Sequence, residues 1–577
     1  MPIRTRPEPE TKCRPSMLAP AATAPRHPAV PALMSALLFW FAFPPADRGY
    51  LGWVALAPLF ALVRSDRPRR ALYAGAYAGG LTFWLLAASW TGKTTIAGWI
   101  VLALVAALSW PIFLALARLS VRRLGLPLMV AAPIIWVALE YIRAHLCTGF
   151  PWYYLAHTQY RYLPLIQVAD VTGAWGLSFL LALVNAWWAE LLTRPLLCPS
   201  PRGPKLARPQ VIRLAVVASL LLACLGYGLF RLQTATFRPG PRLALIQTNF
   251  EQRLKHSLDP ELVVQSIAAL VERARPQRPD LIVWPETSYP HGFPVIDPRI
   301  DSRTLERQIK AIHPGGTIRY WRERAVRIKA GLRGWVDELG VPMVIGTVRY
   351  DFRPEGFSKY NAALLLVPGS EAVASYHKLH LVPFGEFVPG IERFPWLRQL
   401  TPYDEENLPT LAFGAAPVWF DLGSLRYATA ICFEDTIPYV VRRLVQETKD
   451  RRPPDILLNI SNDGWFAGSS EQEVHLAISA FRAVENRVPL ARAVNTGVSA
   501  LIDGNGRILQ ALPKVRADVL VGELPLDDRE SLYAAWGDWF AQTCLAITLG
   551  LVVLGLLGDR LPRLRRPWWP ADLPAAG

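Results

Sequence analysis

Eight apolar runs of near-membrane length limit what this chain can fold into. They fall at about 29–45, 49–63, 71–92, 96–117, 125–142, 164–190, 212–231 and 535–557. A helix needs roughly 18 or more apolar residues to cross ~30 Å of hydrocarbon, and lipid offers no partner for an unpaired backbone group. These runs are therefore expected to be transmembrane helices, seven before a long polar stretch and one after it. The first is short and flanked by proline, so its limits are the least sharp. With 21 Trp and only 19% charged residues, the chain is less charged than the ~25% of an ordinary soluble domain.

The formal charge of +16 could suggest nucleic acid, but its distribution points to a membrane. Positive residues gather in alternate loops. They are Arg4, Arg6, Lys12, Arg14 and Arg26; then Arg64, Arg67, Arg69 and Arg70; then Arg118, Arg122 and Arg123. The series continues with Arg194, Arg202, Lys205 and Arg208, and ends with Arg560, Arg563, Arg565 and Arg566. The intervening loops hold only Arg48, Lys93, Arg143 and Arg161. This positive-inside pattern places both termini in the cytoplasm and the polar stretch on the far side.

The expected organisation is a disordered basic cytoplasmic tail (1–28), a membrane domain of about seven helices (29–232) and a far-side domain (240–530). A last transmembrane helix (535–557) and a basic cytoplasmic tail (558–577) follow. The N-terminal tail lacks the small-residue cleavage site of a secretory signal. Of six cysteines, Cys13 and Cys198 fall in cytoplasmic stretches, Cys147 near an outer membrane edge, and Cys224 and Cys544 within spans. Cys432 is left without a partner in its domain, which suits either an inert buried thiol or a reactive one.

From Pro241 onward, short apolar runs alternate with amphipathic stretches. The runs Arg242–Gln247, Asp280–Trp284, Val341–Gly346, Ala362–Val367, Ala428–Cys432 and Ile456–Ile460 read as strands. The stretches Asp259–Arg275, Thr317–Leu339 and Glu471–Val488 read as helices. This alternation indicates a layered α/β domain. Residues 290–321, rich in Pro, Gly and Arg, read as a loop insertion.

Three chemically suggestive residues follow strand-like runs. Trp284-Pro285-Glu286 ends one, Lys378 follows Tyr376-His377, and Cys432 leads into Phe433-Glu434. An acyl-transferring thiol needs a base and a cation for the developing oxyanion. Glu286 and Lys378 can supply these, although a surface carboxylate and a solvated lysine are equally open readings of each. The segment Pro383–Pro389 would present Glu386 on a rigid loop.

The combination resembles the Glu-Lys-Cys pattern of the nitrilase (carbon-nitrogen hydrolase) superfamily. With its membrane runs, the chain resembles the apolipoprotein N-acyltransferases, the membrane-embedded branch. Asn459-Ile-Ser-Asn-Asp-Gly-Trp-Phe466, His475-Leu476, Arg482-Ala-Val-Glu485 and Arg492-Ala-Val-Asn-Thr-Gly497 carry the likeness further. Gly149-Phe-Pro-Trp152 and Gly173-Ala-Trp-Gly176 do so in the membrane half.

The resemblance implies an α-β-β-α sandwich and a bacterial inner-membrane enzyme with a periplasmic catalytic domain. It implies that Glu286 deprotonates Cys432, which takes an acyl chain from a phospholipid (the sn-1 chain of phosphatidylethanolamine) as a thioester. Lys378, with backbone N–H groups near Cys432, would hold the oxyanion. The amine of a diacylglyceryl-modified N-terminal cysteine then accepts the chain, completing lipoprotein maturation. No cofactor, metal or nucleic acid is expected, His377, His380 and His475 lacking zinc spacing, and the chain is expected to be a monomer. A membrane-tethered amidase or nitrile hydrolase is the alternative. A transporter or scaffold carrying a dead nitrilase-like domain is a third reading.

Supporting roles are implied for Glu386 and Glu434, which flank the nucleophile, and for Asn462 and Trp465 in a substrate pocket. An ordinary hydrogen bond behind the reacting groups and an interfacial tryptophan are the structural alternatives. Tyr360 and Asn361 are expected to order the fold, Glu140 and Arg143 to form a structural ion pair, and Asp170 to be a rare intramembrane charge. Phe433 stands where the family often has Tyr, and His256 where it often has Trp.

Overall fold

The computed structural model describes residues 27–193, 209–251, 259–391, 393–396, 410–446 and 452–557, with the backbone alone at 197–198, 205–206 and 208. Residues 1–26 and 558–577 of the expected tails lie outside the described residues, and so do Arg194, Arg202, His256 and the side chains of Cys198, Lys205 and Arg208.

In the membrane half, Ile96–Arg123, Leu128–Thr148, Ala174–Thr193 and Pro209–Gln233 are long and apolar enough to cross a membrane, as is Trp539–Leu557 near the C-terminus. Among the described residues the expected eight spans thus become five helices that satisfy both criteria. The run at 29–45 forms only Ala29–Phe41, of 13 residues. The run at 49–63 breaks into the turns Gly49–Trp53, Ala57–Ala61 and Leu62–Arg64. The run at 71–92 forms Arg69–Ala87, which starts on two arginines and buries Gly75, Ala76, Gly79 and Gly80. Its apolar character goes into close packing: a Cβ at Gly79 would lie 2.7 Å from the Ala32 carbonyl. Small residues let helices approach in this way. The run at 164–190 is interrupted at Gly173, whose φ of +66° ends Ala169–Thr172 before Ala174–Thr193 begins.

The α/β domain has two sheets. Its strands are β1 Arg242–Gln247, β2 Leu281–Val283, β3 Tyr289–Ile296, β4 Met343–Arg353, β5 Gly356–Leu366, β6 Ala374–His377, β7 Trp419–Leu422, β8 Leu425–Ile431, β9 Ile456–Ser461, β10 Leu490–Val494, β11 Ala500–Ile502, β12 Ile508–Ala511 and β13 Asp518–Glu523. The first sheet runs β13-β1-β2-β4-β5-β6, with β3 also paired to β4; the second runs β7-β8-β9-β10-β11-β12. Strands β1, β2 and β4 are parallel neighbours, as are β8, β9 and β10.

Period-2 alternation builds the layers. Leu243, Leu245, Leu281 and Val283 face the second sheet, in one core with Ala428, Ala430, Leu458 and Ile460. Their neighbours Ala244, Ile246, Ile282 and Trp284 face helices Pro260–Ala274 and Ile318–Leu339. Helices Pro438–Gln446 and Glu471–Asn486 cover the second sheet. The result is the expected α-β-β-α sandwich.

One expectation is corrected. Residues 290–321 are not a loop insertion: they contain β3, helix Ser302–Ile312 and the start of helix Ile318–Leu339. Asp301 caps the first helix by accepting from the Arg303 and Thr304 N–H groups. Leu305, Ile309 and Trp321 pack with Phe352 of β4. Few apolar residues at i, i+4 spacing suffice here, and the density of Pro and Arg hides them.

Helix Glu471–Asn486 joins the halves. Leu476, Ala480 and Ala483 enter the sandwich core, while Val474, Ala477, Ile478, Phe481 and Val484 enter the core of the membrane half. Charged groups pin the junction. Arg487, fully buried, lies 2.5 Å from Asp170 Oδ2 and donates to Gln167. Arg231 also reaches Asp170, at 2.8 Å. Glu485 accepts from the Ala174 N–H at 2.9 Å. Asp170, expected as an isolated intramembrane charge, is thus a junction residue. Asp170→Ala should cost about 3–5 kcal/mol by leaving a buried arginine uncompensated, read as a lowered unfolding midpoint in detergent.

Candidate active site

Each of the three expected residues sits just past a strand of the sandwich. Pro285 and Glu286 follow β2, and Gly346 of β4 makes room for them: a Cβ there would lie 2.1 Å from the Pro285 carbonyl. Lys378 follows β6, its N–H donating to the Asn361 carbonyl and its own carbonyl accepting from the Gly414 N–H. Cys432 follows β8 at φ +53° and opens a short helical turn, Cys432–Thr436, that leads into Pro438–Gln446. A non-glycine residue in this conformation costs of order 1–3 kcal/mol and must be held there by its surroundings.

Glu286, Lys378 and Glu386 come together. Lys378 is 1% exposed. Its Nζ lies 3.4 Å from Glu286 Oε1, 3.0 Å from Glu386 Oε1 and 2.9 Å from Glu386 Oε2. Burial alone would lower the ammonium, but Glu386 and then Glu286 outweigh it and hold Lys378 above the ordinary lysine range. The group is a fixed cation.

Asn361, expected to order the fold, does so at the site itself. Its Nδ2 donates to Glu286 Oε1 at 2.6 Å and to Glu386 Oε1 at 2.8 Å. Both contacts to Glu286, from Asn361 and Lys378, use Oε1; among the described residues none reaches Oε2. Sequence could flag Asn361 only by its position two strands from Glu286. Tyr360 does stay outside, stacked on the His377 ring at 4.1 Å.

Cys432 is partly buried and has no disulfide. Burial, then the Glu286 charge, push its thiol well above the ordinary cysteine range, against the pull of Lys378. The thiol is therefore protonated at rest, and a base must act as it reacts.

Glu434 does not line the site but fastens it. Its Oε1 accepts from the Leu379 N–H (2.6 Å) and the His380 N–H (2.9 Å), and its Oε2 from the Ile431 N–H (2.7 Å). The Tyr376 hydroxyl lies 2.9 Å from both oxygens. One carboxylate thus ties the loop after Lys378 to the strand before Cys432. Burial pushes it up to about 7 against these donors.

Asn462 is likewise occupied: its Oδ1 accepts from the Gly464 N–H and from Asn495 Nδ2 at 2.8 Å. Trp465 is 51% exposed. The loop that carries them docks on the membrane half, where Lys93 Nζ donates to the Ala467 carbonyl at 2.6 Å and Trp90 meets the Phe466 ring edge-on at 4.6 Å. Phe433, beside the nucleophile, also packs against the membrane-half core. Glu140 and Arg143 are structural, as expected, but act on backbone. Glu140 accepts from the Leu155 N–H, and Arg143 donates to the Phe150 and Trp152 carbonyls, fixing the loop above their helix.

Two family models match the chain: the N-terminal domain of apolipoprotein N-acyltransferase over residues 35–187 and carbon-nitrogen hydrolase over 242–534. An apolipoprotein N-acyltransferase of Geobacter metallireducens is 35% identical, with 93% of this chain and 96% of that protein covered. One of Azotobacter vinelandii is 31% identical, covering 92% and 95%. An amidase structure from a Nesterenkonia species is 20% identical, with a TM-score of 0.35, covering 52% of this chain and 99% of the amidase chain. The chain belongs to the apolipoprotein N-acyltransferase family, within the carbon-nitrogen hydrolases.

Glu434→Gln must place an amide against one set of N–H donors. We expect it to cost about 1–3 kcal/mol, as a lower unfolding midpoint, and to slow alkylation of Cys432 by iodoacetamide.

Proposed function

We propose that this chain N-acylates apolipoproteins at the membrane, with Cys432 as nucleophile, Glu286 as base and Lys378 as the cation for the oxyanion. The observation that carries the reading is a partly buried thiol on a strained turn, beside a buried pair of carboxylate and ammonium. Glu286 Oε2, which no described residue reaches, is the oxygen left to receive the thiol proton.

Proton transfer to Glu286 accompanies attack of sulfur on an ester carbonyl of a phospholipid, with the sn-1 chain of phosphatidylethanolamine as the donor we favour. Lys378, joined by backbone N–H groups near Cys432, stabilises the oxyanion. The C–O bond breaks, Glu286 returns the proton to the leaving lysophospholipid, and the acyl chain remains as a thioester. The amine of a diacylglyceryl-modified N-terminal cysteine then attacks; the C–S bond breaks, an amide forms, and the amine proton restores the thiol. Thioester to amide is downhill, so the step needs no energy source. Glu386 and Asn361 keep Lys378 and Glu286 oriented. Trp465, exposed beside the site, would meet substrate or the membrane surface.

Orientation follows from the basic loops. Arg118 donates to the Leu62, Val63 and Ser65 carbonyls and Arg122 to that of Val63, which gathers two arginine-rich loops at one end. Lys93, from a loop poor in positive charge, instead touches the α/β domain. This supports cytoplasmic termini and a periplasmic domain, with the described sites complete within one chain.

Incubation with phosphatidylethanolamine, read by intact-protein mass spectrometry, should place one acyl group on Cys432. A diacylglyceryl-cysteinyl peptide should then discharge it as the N-acyl product. Cys432→Ala should give no adduct, and Glu286→Gln should slow its formation by about 10²–10⁴-fold. Discharge by water alone would favour the amidase reading, and no adduct on a thiol that alkylates would overturn lipid acyl transfer.

A further inference from the structure

Behind the proposed nucleophile lies a group of five charged side chains, each at most 2% exposed, that the reaction above does not use. Asp435 belongs to the turn that begins at Cys432. Glu471 and His475 come from helix Glu471–Asn486, Asp463 from the loop after β9 and Arg492 from β10. His475 Nε2 lies 2.5 Å from Asp435 Oδ1; Nδ1 lies 3.3 Å from Asp463 Oδ1 and 3.4 Å from Glu471 Oε1. Arg492 reaches Asp463 Oδ2 at 2.7 Å and Asp435 Oδ2 at 3.2 Å. The Trp152 ring of the membrane half closes the remaining side, 5.5 Å between centroids.

A neutral imidazole has one lone pair, which would face a carboxylate oxygen on either side. Nε2 bonds Asp435, and Nδ1, which makes no hydrogen bond of its own, has oxygens of Asp463 and Glu471 within 3.4 Å, a setting that favours a proton on both nitrogens. Burial and Arg492 act to lower the ring, but Asp435 and Asp463 outweigh them and hold it well above the ordinary histidine range. The cation matters because the Asp463 charge also opposes ionisation of the Cys432 thiol. Arg492 is shared further, donating to Asn459 Oδ1, while Asn459 Nδ2 donates to the Cys432 carbonyl at 3.3 Å.

We propose that His475, as a permanent imidazolium, is a positioning residue for Cys432: it ties the nucleophile's turn to the Asp463 loop and offsets the Asp463 charge that would oppose thiolate formation. Without it, Arg492 alone faces three carboxyl groups. This deepens the function proposed above and rests on Cys432 being the reacting thiol.

Alkylation of Cys432 by iodoacetamide in the detergent-solubilised full chain reads the thiol directly, so its result is separate from any failure of acyl transfer. His475→Gln should move the alkylation midpoint up by about one pH unit, a roughly tenfold loss of rate at neutral pH. Asp463→Asn in that background should recover most of the rate, which a purely structural role would not allow. An unchanged profile in His475→Gln, or no recovery in the folded double variant, overturns the proposal. If both variants misfold, the ring nitrogens of His475 in the 15N-labelled wild type decide: a doubly protonated ring that does not titrate between about pH 5 and 8 supports the imidazolium, and a ring that titrates there refutes it. The donor atoms of Asp463, Glu471 and His475 also lie within 4.8 Å of one another. One equivalent of divalent metal in the purified wild type, lost in His475→Gln, would equally overturn it.

Discussion

The burial of helix Glu471–Asn486 between the second sheet and the membrane half is the constraint on which the rest depends. Nearly every residue of this helix is buried, including Glu471, His475, Arg482 and Glu485. A charged side chain taken out of water is tolerated only with partners in place. Arg482 pairs with Glu485 at 2.9 Å, and Arg487, just beyond the helix, with Asp170. Asp435 of the α/β domain pairs with His475 and Asp170 of the membrane half with Arg487, so partners come from both halves and the helix is satisfied only when the halves meet in one arrangement. That arrangement sets the nucleophile's turn against the membrane half, with Phe433 in contact with it.

The same logic holds at smaller scale around Cys432. A φ of +53° is not a conformation that cysteine adopts unaided. Glu434 and Asp435, next on the chain, anchor the turn in opposite directions: Glu434 to the backbone after Lys378, Asp435 to His475, Ser479 and Arg492. The carboxylates that follow the proposed nucleophile on the chain, Glu434 and Asp435, therefore serve geometry, while Glu286 and Glu386 balance Lys378. Because burial keeps the thiol protonated, the site favours a base acting in concert with attack over a standing thiolate.

Much of this was legible in sequence, and the misses have physical causes. Of the six expected strands, Arg242–Gln247, Asp280–Trp284, Ala428–Cys432 and Ile456–Ile460 agree within three residues, while the one at Val341–Gly346 runs on to Arg353 and the one at Ala362–Val367 starts already at Gly356. The spans were harder, because apolar composition marks burial in lipid and burial against another helix alike. Arg69–Ala87 spends its Gly and Ala on packing, and Gly173 divides what reads as one run. The segment 290–321 looked irregular because its few apolar residues are outnumbered by Pro and Arg. The expected Glu-Lys-Cys residues do converge, with Glu386. Asn361 escaped notice because a bond bridging two carboxylates leaves no local pattern. The pairing of the Asn462 amide oxygen with Gly464 and Asn495 likewise has no local signature.

What the sequence determined by itself was the chemistry available and the class of fold. Membrane-length runs, two-sided strands and a Glu-Lys-Cys set depend on residue type and spacing, which the chain carries openly. Only the tertiary structure decided which carboxylates balance Lys378 and which brace the turn at Cys432, which apolar runs are long helices, and how the halves lock. Those outcomes rest on distances between residues 50 to 320 positions apart, such as Glu434 with Leu379 and Arg487 with Gln167. Local sequence is silent on such separations, because they are fixed by the joint packing of two sheets and a buried helix.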